Sequence, residues 1–299
     1  MMIAEKYIST YQGPIKFVII RHPNNKGLGV ARNTGISVAS GIYLYFLDSD
    51  DAITPDCIVT LVKLAEKYPD VDWVQGNTVE GTGYLRHIKF LNQVPEYCNN
   101  KTVLDQIILG PQSANTACGI LIKQDFLIRN SLLFPSAILH EDTFWRYYLA
   151  KVTKAAAFTS YETYFYYNNE NIITTSTSSI MLKRRYDAFI YSAEQFLADI
   201  SKNDNTLKFQ FLYFLTVLLD CTIVLNRFFS LKCWLDYWKR VVLMIPQMPV
   251  RPCWAKVVFS LSLLPPLCFL VKFDKIRWRI KHYVFEGLWN NFIITKEIK

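Results

Sequence analysis

The chain has 299 residues, of which 51% are apolar and 19% are charged. This composition excludes an intrinsically disordered protein and allows one large domain or two small ones. The net charge of +8 is uneven, because residues 222–299 carry thirteen basic and four acidic side chains. A nucleic-acid-binding protein would not confine its basic excess to the end of the chain, so no nucleic-acid partner is expected.

The cysteine content points to a reducing compartment. Seven cysteines are scattered along the chain without a CxxC pair, which predicts neither a disulfide framework nor a zinc site. The first residues lack the apolar core of a secretory signal. We therefore expect a cytoplasmic protein.

The first part of the chain alternates between predicted helices and strands, which is typical of a parallel α/β sheet. The predicted helices cover residues 2–11, 30–39 and 56–68, and the predicted buried strands cover residues 15–21, 42–47 and 71–75.

The second part begins with more α/β pattern and becomes helical. A second α/β stretch covers residues 103–134, an aromatic helix begins at His140-Glu141-Asp142, and a strand covers residues 161–167. The pattern is helical from Met181 onward, with Asp220 interrupting an apolar run.

The C-terminal residues combine apolar and basic patterns. Residues 257–271 are apolar but too short, and too broken by two prolines, for a membrane span. Basic residues alternate with apolar ones over residues 272–281. One interpretation is an amphipathic segment, within residues 255–281, that lies on an anionic membrane surface. The other is a pair of apolar helices packed on the main domain with a solvated basic face.

An acidic cluster follows the strand predicted for residues 42–47. It contains Asp48, Asp50 and Asp51. Ligands of open α/β sheets bind at the carboxyl ends of strands, and carboxylate oxygens suit Mg²⁺ or Mn²⁺ bridging a diphosphate. The alternative is a solvated loop in which Asp51 or Thr54 caps the next helix.

Two further patterns are candidates for chemistry. In residues 24–35, Gly27 and Gly29 allow close approach of a ligand and Arg32 can hold a phosphate or carboxylate, although an ordinary turn with Arg32 paired to a nearby aspartate is equally compatible. Glu141 and Asp142 could supply a general base, or could simply be acids favoured at a helix N-terminus.

In this order and spacing, the three patterns resemble the family 2 inverting glycosyltransferases of the GT-A fold. Residues 25–51, NKGLGVARNTGISVASGIYLYFLDSDD, match the family signature N-x-G-x-x-x-A-R-N-x-G … A-x-G-x-Y-x-x-F-L-D-S-D-D. The resemblance implies a GT-A-like, mostly parallel sheet flanked by helices over residues 1–175. A helical, basic and apolar region over residues 176–299 would follow it.

The resemblance also implies an activity and its partners. Sugar would pass with inversion from a nucleotide-diphosphate sugar, usually a UDP-sugar, to a hydroxyl of a glycan or lipid-linked acceptor in bacterial surface-polysaccharide or glycolipid assembly. Such acceptors lie at the inner face of the cell membrane, where peripheral attachment is expected. By family match, Asp50 and Asp48 would hold Mg²⁺ or Mn²⁺, Asp142 would be the base with Glu141 its rival, and the donor nucleotide would be bound by Asn25, Gly27, Arg32, Asn33 and Asp48.

The chain departs from the family pattern in two places. The strand-helix-strand unit with which the family begins has no counterpart, and the arginine of the family's Tyr-x-Tyr-Arg run is replaced in residues 164–167. Two functions therefore stay open. The chain is either an active transferase whose start was placed too late, or a truncated, inactive relative that acts as a membrane-surface scaffold or partner subunit.

Overall fold

The structure, a computed structural model, describes residues 2–82, 84–87, 94–110, 116–136, 138–167, 178–200, 207–228 and 231–247. Its strands form one sheet: β1 (Tyr43–Tyr45), β2 (Ala52–Ile53), β3 (Trp73–Thr82), β4 (Tyr84–His87), β5 (Tyr97–Cys98), β6 (Ile120–Lys123) and β7 (Ala156–Tyr167). Five of them lie in the order β1-β6-β3-β7-β2, with β4 beside β3 and β5 beside β7.

The helices precede, connect and follow these strands. They are α1 (Met2–Thr10), α2 (Leu28–Val38), α3 (Cys57–Lys67), α4 (Lys101–Leu109), α5 (Gln124–Arg129), α6 (Glu141–Val152), α7 (Ser179–Asp199), α8 (Leu207–Phe228) and α9 (Leu231–Met244), the last followed by a 3₁₀ turn, Ile245–Gln247. The helices predicted in the N-terminal half and at residue 140 are thereby confirmed. Helix α8 continues through Asp220, because an aspartate costs an α-helix no more than about 0.7 kcal/mol relative to alanine.

Helices cover both faces of the sheet because side chains alternate along each strand. In β3, Trp73 belongs to the larger apolar core and Val74 to the smaller one, which packs under α3. In β6, Ile120 and Ile122 face the larger core and Leu121 the smaller. The larger core continues without interruption into α7, α8 and α9, so the C-terminal helices share the core of the α/β part.

The buried strand predicted for residues 15–21 is wrong. These residues form no strand, and their apolar side chains are exposed, to 61% at Ile15 and 66% at Val18. A strand needs a neighbour that accepts and donates its backbone hydrogen bonds, and no described strand lies beside this segment.

The sheet is mixed rather than mostly parallel. Among the pairings of described residues, β3 with β7 is parallel, whereas β1–β6, β3–β6, β2–β7, β3–β4 and β5–β7 are antiparallel. The expectation of parallel pairing depended partly on residues 15–21 as a neighbour of the next strand. That segment is not a strand, so it is not a parallel neighbour of β1. The partner of β1 is β6, which runs antiparallel to it.

Candidate active site

One buried guanidinium group binds three of the five acidic side chains that the sequence singles out. Arg32 of α2 is 7% exposed. Its Nη1 donates to Glu141 Oε1 at 2.8 Å and to Asp142 Oδ1 at 2.6 Å, and its Nη2 donates to Asp48 Oδ1 at 3.0 Å. The pairing of Arg32 with an aspartate, one of the two interpretations of the glycine-containing segment, is therefore present. The additional pairing with both acids of α6 was not predicted.

Local structure explains why these groups meet. Asp48 follows β1, and Glu141 and Asp142 occupy the first turn of α6, where the helix dipole favours acids. The Arg32 guanidinium also lies 5.1 Å from the centre of the Phe134 ring. The carboxamide of Asn33 holds Phe134 in place, donating to its carbonyl at 2.8 Å and accepting from its N–H at 2.9 Å. Asn33 therefore supports the ring beneath Arg32, and its nucleotide contact stays a prediction.

The electrostatics of this cluster set the charge of Asp142. Burial raises the pKa of the Asp142 carboxyl to about 7, and Glu141 and Asp48 act in the same direction, while Arg32 opposes them. Burial also disfavours the charged form of Arg32, but the attraction of Asp142, Asp48 and Glu141 outweighs it and keeps the pKa of Arg32 above its ordinary value. A carboxyl group with a pKa near neutrality is suited to accept and release a proton.

The third acid of the acidic cluster has a structural contact. Asp51 accepts hydrogen bonds from the Tyr164 hydroxyl at 2.5 Å and from the Tyr167 N–H at 3.0 Å. The Asp48 N–H in turn donates to the Tyr164 hydroxyl oxygen at 3.4 Å. The cap of α3 is Asp56, without a side-chain hydrogen bond, so neither Asp51 nor Thr54 caps that helix. Sequence reasoning missed Tyr164, whose only signal is its place in an aromatic strand.

The donor set at Asp48 and Asp50 fits a divalent cation shared with a substrate. Among the described residues no group of three or more His, Cys, Asp or Glu side chains could by itself enclose a metal. Mg²⁺ does not require such a cage, because it is commonly held by one or two carboxylates together with water and substrate phosphates. Asp48 is partly exposed and Asp50 is exposed, so neither carboxylate is closed off from an ion in solution.

A cavity of about 1060 Å³ adjoins the cluster. Its described lining includes Asp48, Glu141 and Asp142 together with Asn25 and Gly27. The lining, as far as the chain is described, does not include the predicted residues Arg32, Asn33 and Asp50. Arg32 lies behind the carboxylates that it binds, so it acts on the cavity through them.

The two glycines at the start of α2, the N-cap Gly27 and Gly29 in the first turn, have different reasons to be glycine. Gly27 has φ +85° and donates its N–H to Asn25 Oδ1 at 2.9 Å, a left-handed turn that favours glycine. A side chain at Gly29 would place its Cβ 2.5 Å from the Pro135 carbonyl oxygen. Gly29 thus lets α2 approach the segment before α6, which brings Arg32 to Glu141.

We expect Gly29→Ala to destabilise the protein by about 1–3 kcal/mol, because the backbone carbonyl cannot yield without separating α2 from that segment. Gly35→Ala is the matched control, since it lies in the same helix and its Cβ would meet nothing within 4 Å. That control should be neutral or stabilising by about 0.5–1 kcal/mol. Urea unfolding of both variants measures the difference, and equal stabilities would contradict the close approach.

Residues 2–129 match the family model described as glycosyl transferase family 2, and this segment contains Arg32 and the acidic cluster. This match covers less than half of the chain, and residues 2–129 are similar to glycosyl transferase family 2. The family 2 match ends before α6, so Glu141 and Asp142 lie beyond the matched residues.

Curated proteins similar to this chain are glycosyltransferases. The uncharacterized glycosyltransferase YibD of Escherichia coli is 30% identical over 157 residues, which are 48% of this chain and 42% of YibD. The poly(ribitol-phosphate) β-glucosyltransferase of Bacillus spizizenii is 27% identical over 167 residues, 54% of this chain and 24% of that protein. The chain thus spans less than half the length of these relatives.

A solved structure supports the GT-A-like fold of this chain. The crystal structure of Staphylococcus aureus TarS residues 1–349 in complex with UDP-GlcNAc has a TM-score of 0.57 and 16% sequence identity. The aligned residues make up 97% of this chain and 76% of the TarS chain. The predicted α/β fold class, with helices on both sides of the sheet and a helical C-terminal region, is confirmed.

Proposed function

We propose that this chain transfers a sugar from a UDP-sugar to an acceptor hydroxyl with inversion, in the assembly of a bacterial surface polysaccharide or glycolipid. The observation that carries the proposal is the buried Arg32, which joins Asp48, Glu141 and Asp142 at the wall of one cavity. The names of the relatives support the donor and the cell-surface role: one acts on poly(ribitol phosphate), and TarS was solved with UDP-GlcNAc.

Asp142 is the base of the proposed reaction. The acceptor oxygen forms a bond to the anomeric carbon of the sugar while the bond from that carbon to the UDP oxygen breaks. The acceptor proton passes to the Asp142 carboxylate, whose raised pKa of about 7 makes it a better proton acceptor than an ordinary aspartate. Glu141 is the alternative base, since it lies on the same Arg32 Nη1 atom.

Asp48 and Asp50 are the proposed ligands of Mg²⁺ or Mn²⁺. The cation, when bound, would neutralise charge on the departing diphosphate. Asp48, Asn25 and Gly27 all line the cavity, which supports binding of the donor nucleotide by these residues. Arg32 fixes one oxygen of Asp48 and leaves the carboxylate partly exposed.

Replacing the metal ligand tests this assignment. We expect Asp50→Ala to weaken Mn²⁺-dependent UDP binding by at least ~10–100-fold. Loss of a residue that only hydrogen-bonds to a metal ligand already costs this much, and loss of the ligand itself should cost no less. Asp125→Ala, which removes an exposed acid of α5, is the control and should bind as the wild type does. Isothermal titration with UDP, with and without Mn²⁺, measures both. Unchanged binding by the Asp50 variant would remove the metal assignment.

The second candidate is an inactive relative that acts as a scaffold or partner subunit. The exposed apolar side chains of residues 15–20 favour it, because such a run is typical of a surface that another segment covers. A protein that binds no UDP with Mn²⁺ present, yet elutes as a hetero-complex from its source, would support this candidate over the transferase.

We further propose that the protein sits on the inner face of the cell membrane. Among the described helices none is long and apolar enough to cross a membrane. Helix α9, however, exposes a stripe of apolar side chains at helical spacing, adjacent to its buried face. The stripe consists of Leu231, Leu235, Trp238 and Val242. Residues 255–281, the predicted contact segment, lie outside the described residues.

Vesicle binding tests the contribution of α9. We expect Leu235→Gln with Trp238→Gln to lower the partition of the protein onto vesicles containing phosphatidylglycerol by about 10-fold or more, because each apolar side chain contributes ~1.5–3 kcal/mol when buried. Ile128→Gln, an exposed apolar residue of α5, is the control. Equal sedimentation of all three proteins with vesicles would contradict the role of α9.

A further inference from the structure

The cavity extends beyond its acidic wall to the C-terminal helices. Met181, Arg184, Arg185 and Phe189 of α7 line this part, together with Asp220, Ile223 and Val224 of α8. We call this part the α7–α8 pocket. It lies in the same cavity as Asp142 but carries two arginines where the donor end carries carboxylates.

Positive charge exceeds negative charge at this pocket. Asp220 is the acid of α8 that lines it, against the two arginines of α7. Arg227 of α8 is not among the lining residues but repels Arg185 electrostatically. Burial and the repulsion of Arg227 lower the pKa of Arg185, against the attraction of Asp220. Lys183 of α7 is exposed, ion-paired with Asp187 and not among the lining residues.

His140 lies where the two parts of the cavity meet. It precedes Glu141, has a left-handed backbone with φ 56°, and its ring stacks on Phe189 with a centroid distance of 4.6 Å. Its Nε2 is buried and has no hydrogen-bond partner among the described residues. The junction between the carboxylates and the arginines is therefore lined by the stacked rings of His140 and Phe189.

We propose that the α7–α8 pocket binds the acceptor and that this acceptor carries phosphate near its reacting hydroxyl, held by Arg184 and Arg185. This inference rests on the proposed transferase function. Guanidinium groups bind phosphate oxygens through paired, charge-assisted hydrogen bonds. A neutral glycan in the same place would displace water from the half-buried Arg185 without supplying an opposite charge, which is unfavourable.

Two kinds of acceptor carry phosphate near a hydroxyl: a polymer with phosphodiester links and a lipid carrier with a diphosphate. Bis(glycerol) phosphate represents the first and geranyl diphosphate the second, with glycerol as the neutral control. Binding to the full-length chain is measured by isothermal titration in the presence of a chelator. Without a divalent cation the carboxylates of the donor end repel both anions, so the titration reports on the arginine end.

The variants are Arg184→Gln and Arg185→Gln, with Arg185→Lys to retain the charge and Lys183→Gln as the matched surface control. We expect at least one anion to bind the wild type and glycerol not to bind. Each glutamine variant should weaken binding by about 10-fold or more, the lysine variant by less, and the Lys183 variant not at all. The anion that binds more tightly identifies the source.

Absence of binding by both anions, or equal binding by the wild type and the glutamine variants, would overturn the proposal. UDP binding with Mn²⁺ is measured separately on the same proteins. If the wild type does not bind UDP with Mn²⁺, the transferase function is contradicted. The anion titration then tests the phosphate site independently of that function. Retained UDP binding in the glutamine variants shows that they are folded.

Discussion

Asp142→Asn is expected to lower the turnover of sugar transfer by about 10²–10⁴-fold, the usual contribution of a positioned general base. The asparagine keeps the size of the side chain and can still face Arg32, but it cannot take the acceptor proton. Binding of UDP with Mn²⁺ should stay within about twofold of the wild type, because the metal ligands are unchanged. Initial rates with a radiolabelled UDP-sugar and the native acceptor measure the effect.

Two companion variants make this experiment decisive. Glu141→Gln should retain more activity than Asp142→Asn, and the reverse order would assign the base to Glu141. Asp125→Asn changes an exposed carboxylate of α5 and should leave the rate unchanged. A fully active Asp142→Asn protein would remove Asp142 from the reaction.

Arg32→Gln is expected to lower the free energy of unfolding by about 3–5 kcal/mol at neutral pH, because it leaves buried acids without their cation.

Arg32 also keeps the pKa of Asp142 below the value that burial alone would give. A base acts only when deprotonated, so transfer by the wild type should rise with pH through about 7. In the variant the rise should occur at higher pH. Urea unfolding and a pH–rate profile measure the two effects.

A surface arginine provides the control for that experiment. Arg129 pairs with Asp125 four residues away in α5, with both side chains about two-thirds exposed. Arg129→Gln should therefore change stability by no more than about 0.5 kcal/mol. An Arg32 variant as stable as this control, with an unmoved pH–rate profile, would contradict the central role of the guanidinium group.

Much of the α/β part could be predicted from the chain itself. The amphipathic pattern of α3 holds enough local information to define that helix, and the pattern at residues 71–75 locates the start of β3, which continues to Thr82. Residues 15–21 show the limit of that information. Their β-branched side chains satisfy the local preference of a strand, but a strand also depends on a neighbour, which no local pattern reports.

The candidate site was predictable as residue types but not as an arrangement. Asp48, Glu141 and Asp142 are visible as acids at the end of a strand and the start of a helix. Their common contact is not visible, because Arg32 precedes Asp48 by 16 residues and the α6 acids by 109 and 110. The role of Tyr164 was hidden for the same reason, since it follows Asp51 by 113 residues.

The hydrogen bonds from Tyr164 and Tyr167 to Asp51 have a consequence for how ligands bind. They anchor the loop that carries Asp48 and Asp50 to the central sheet before any cation or nucleotide arrives. The conformational entropy of that loop is therefore lost when the chain folds and not when the donor binds. Affinity at the cavity is in this way determined partly by a tyrosine on β7 that is not itself a proposed ligand.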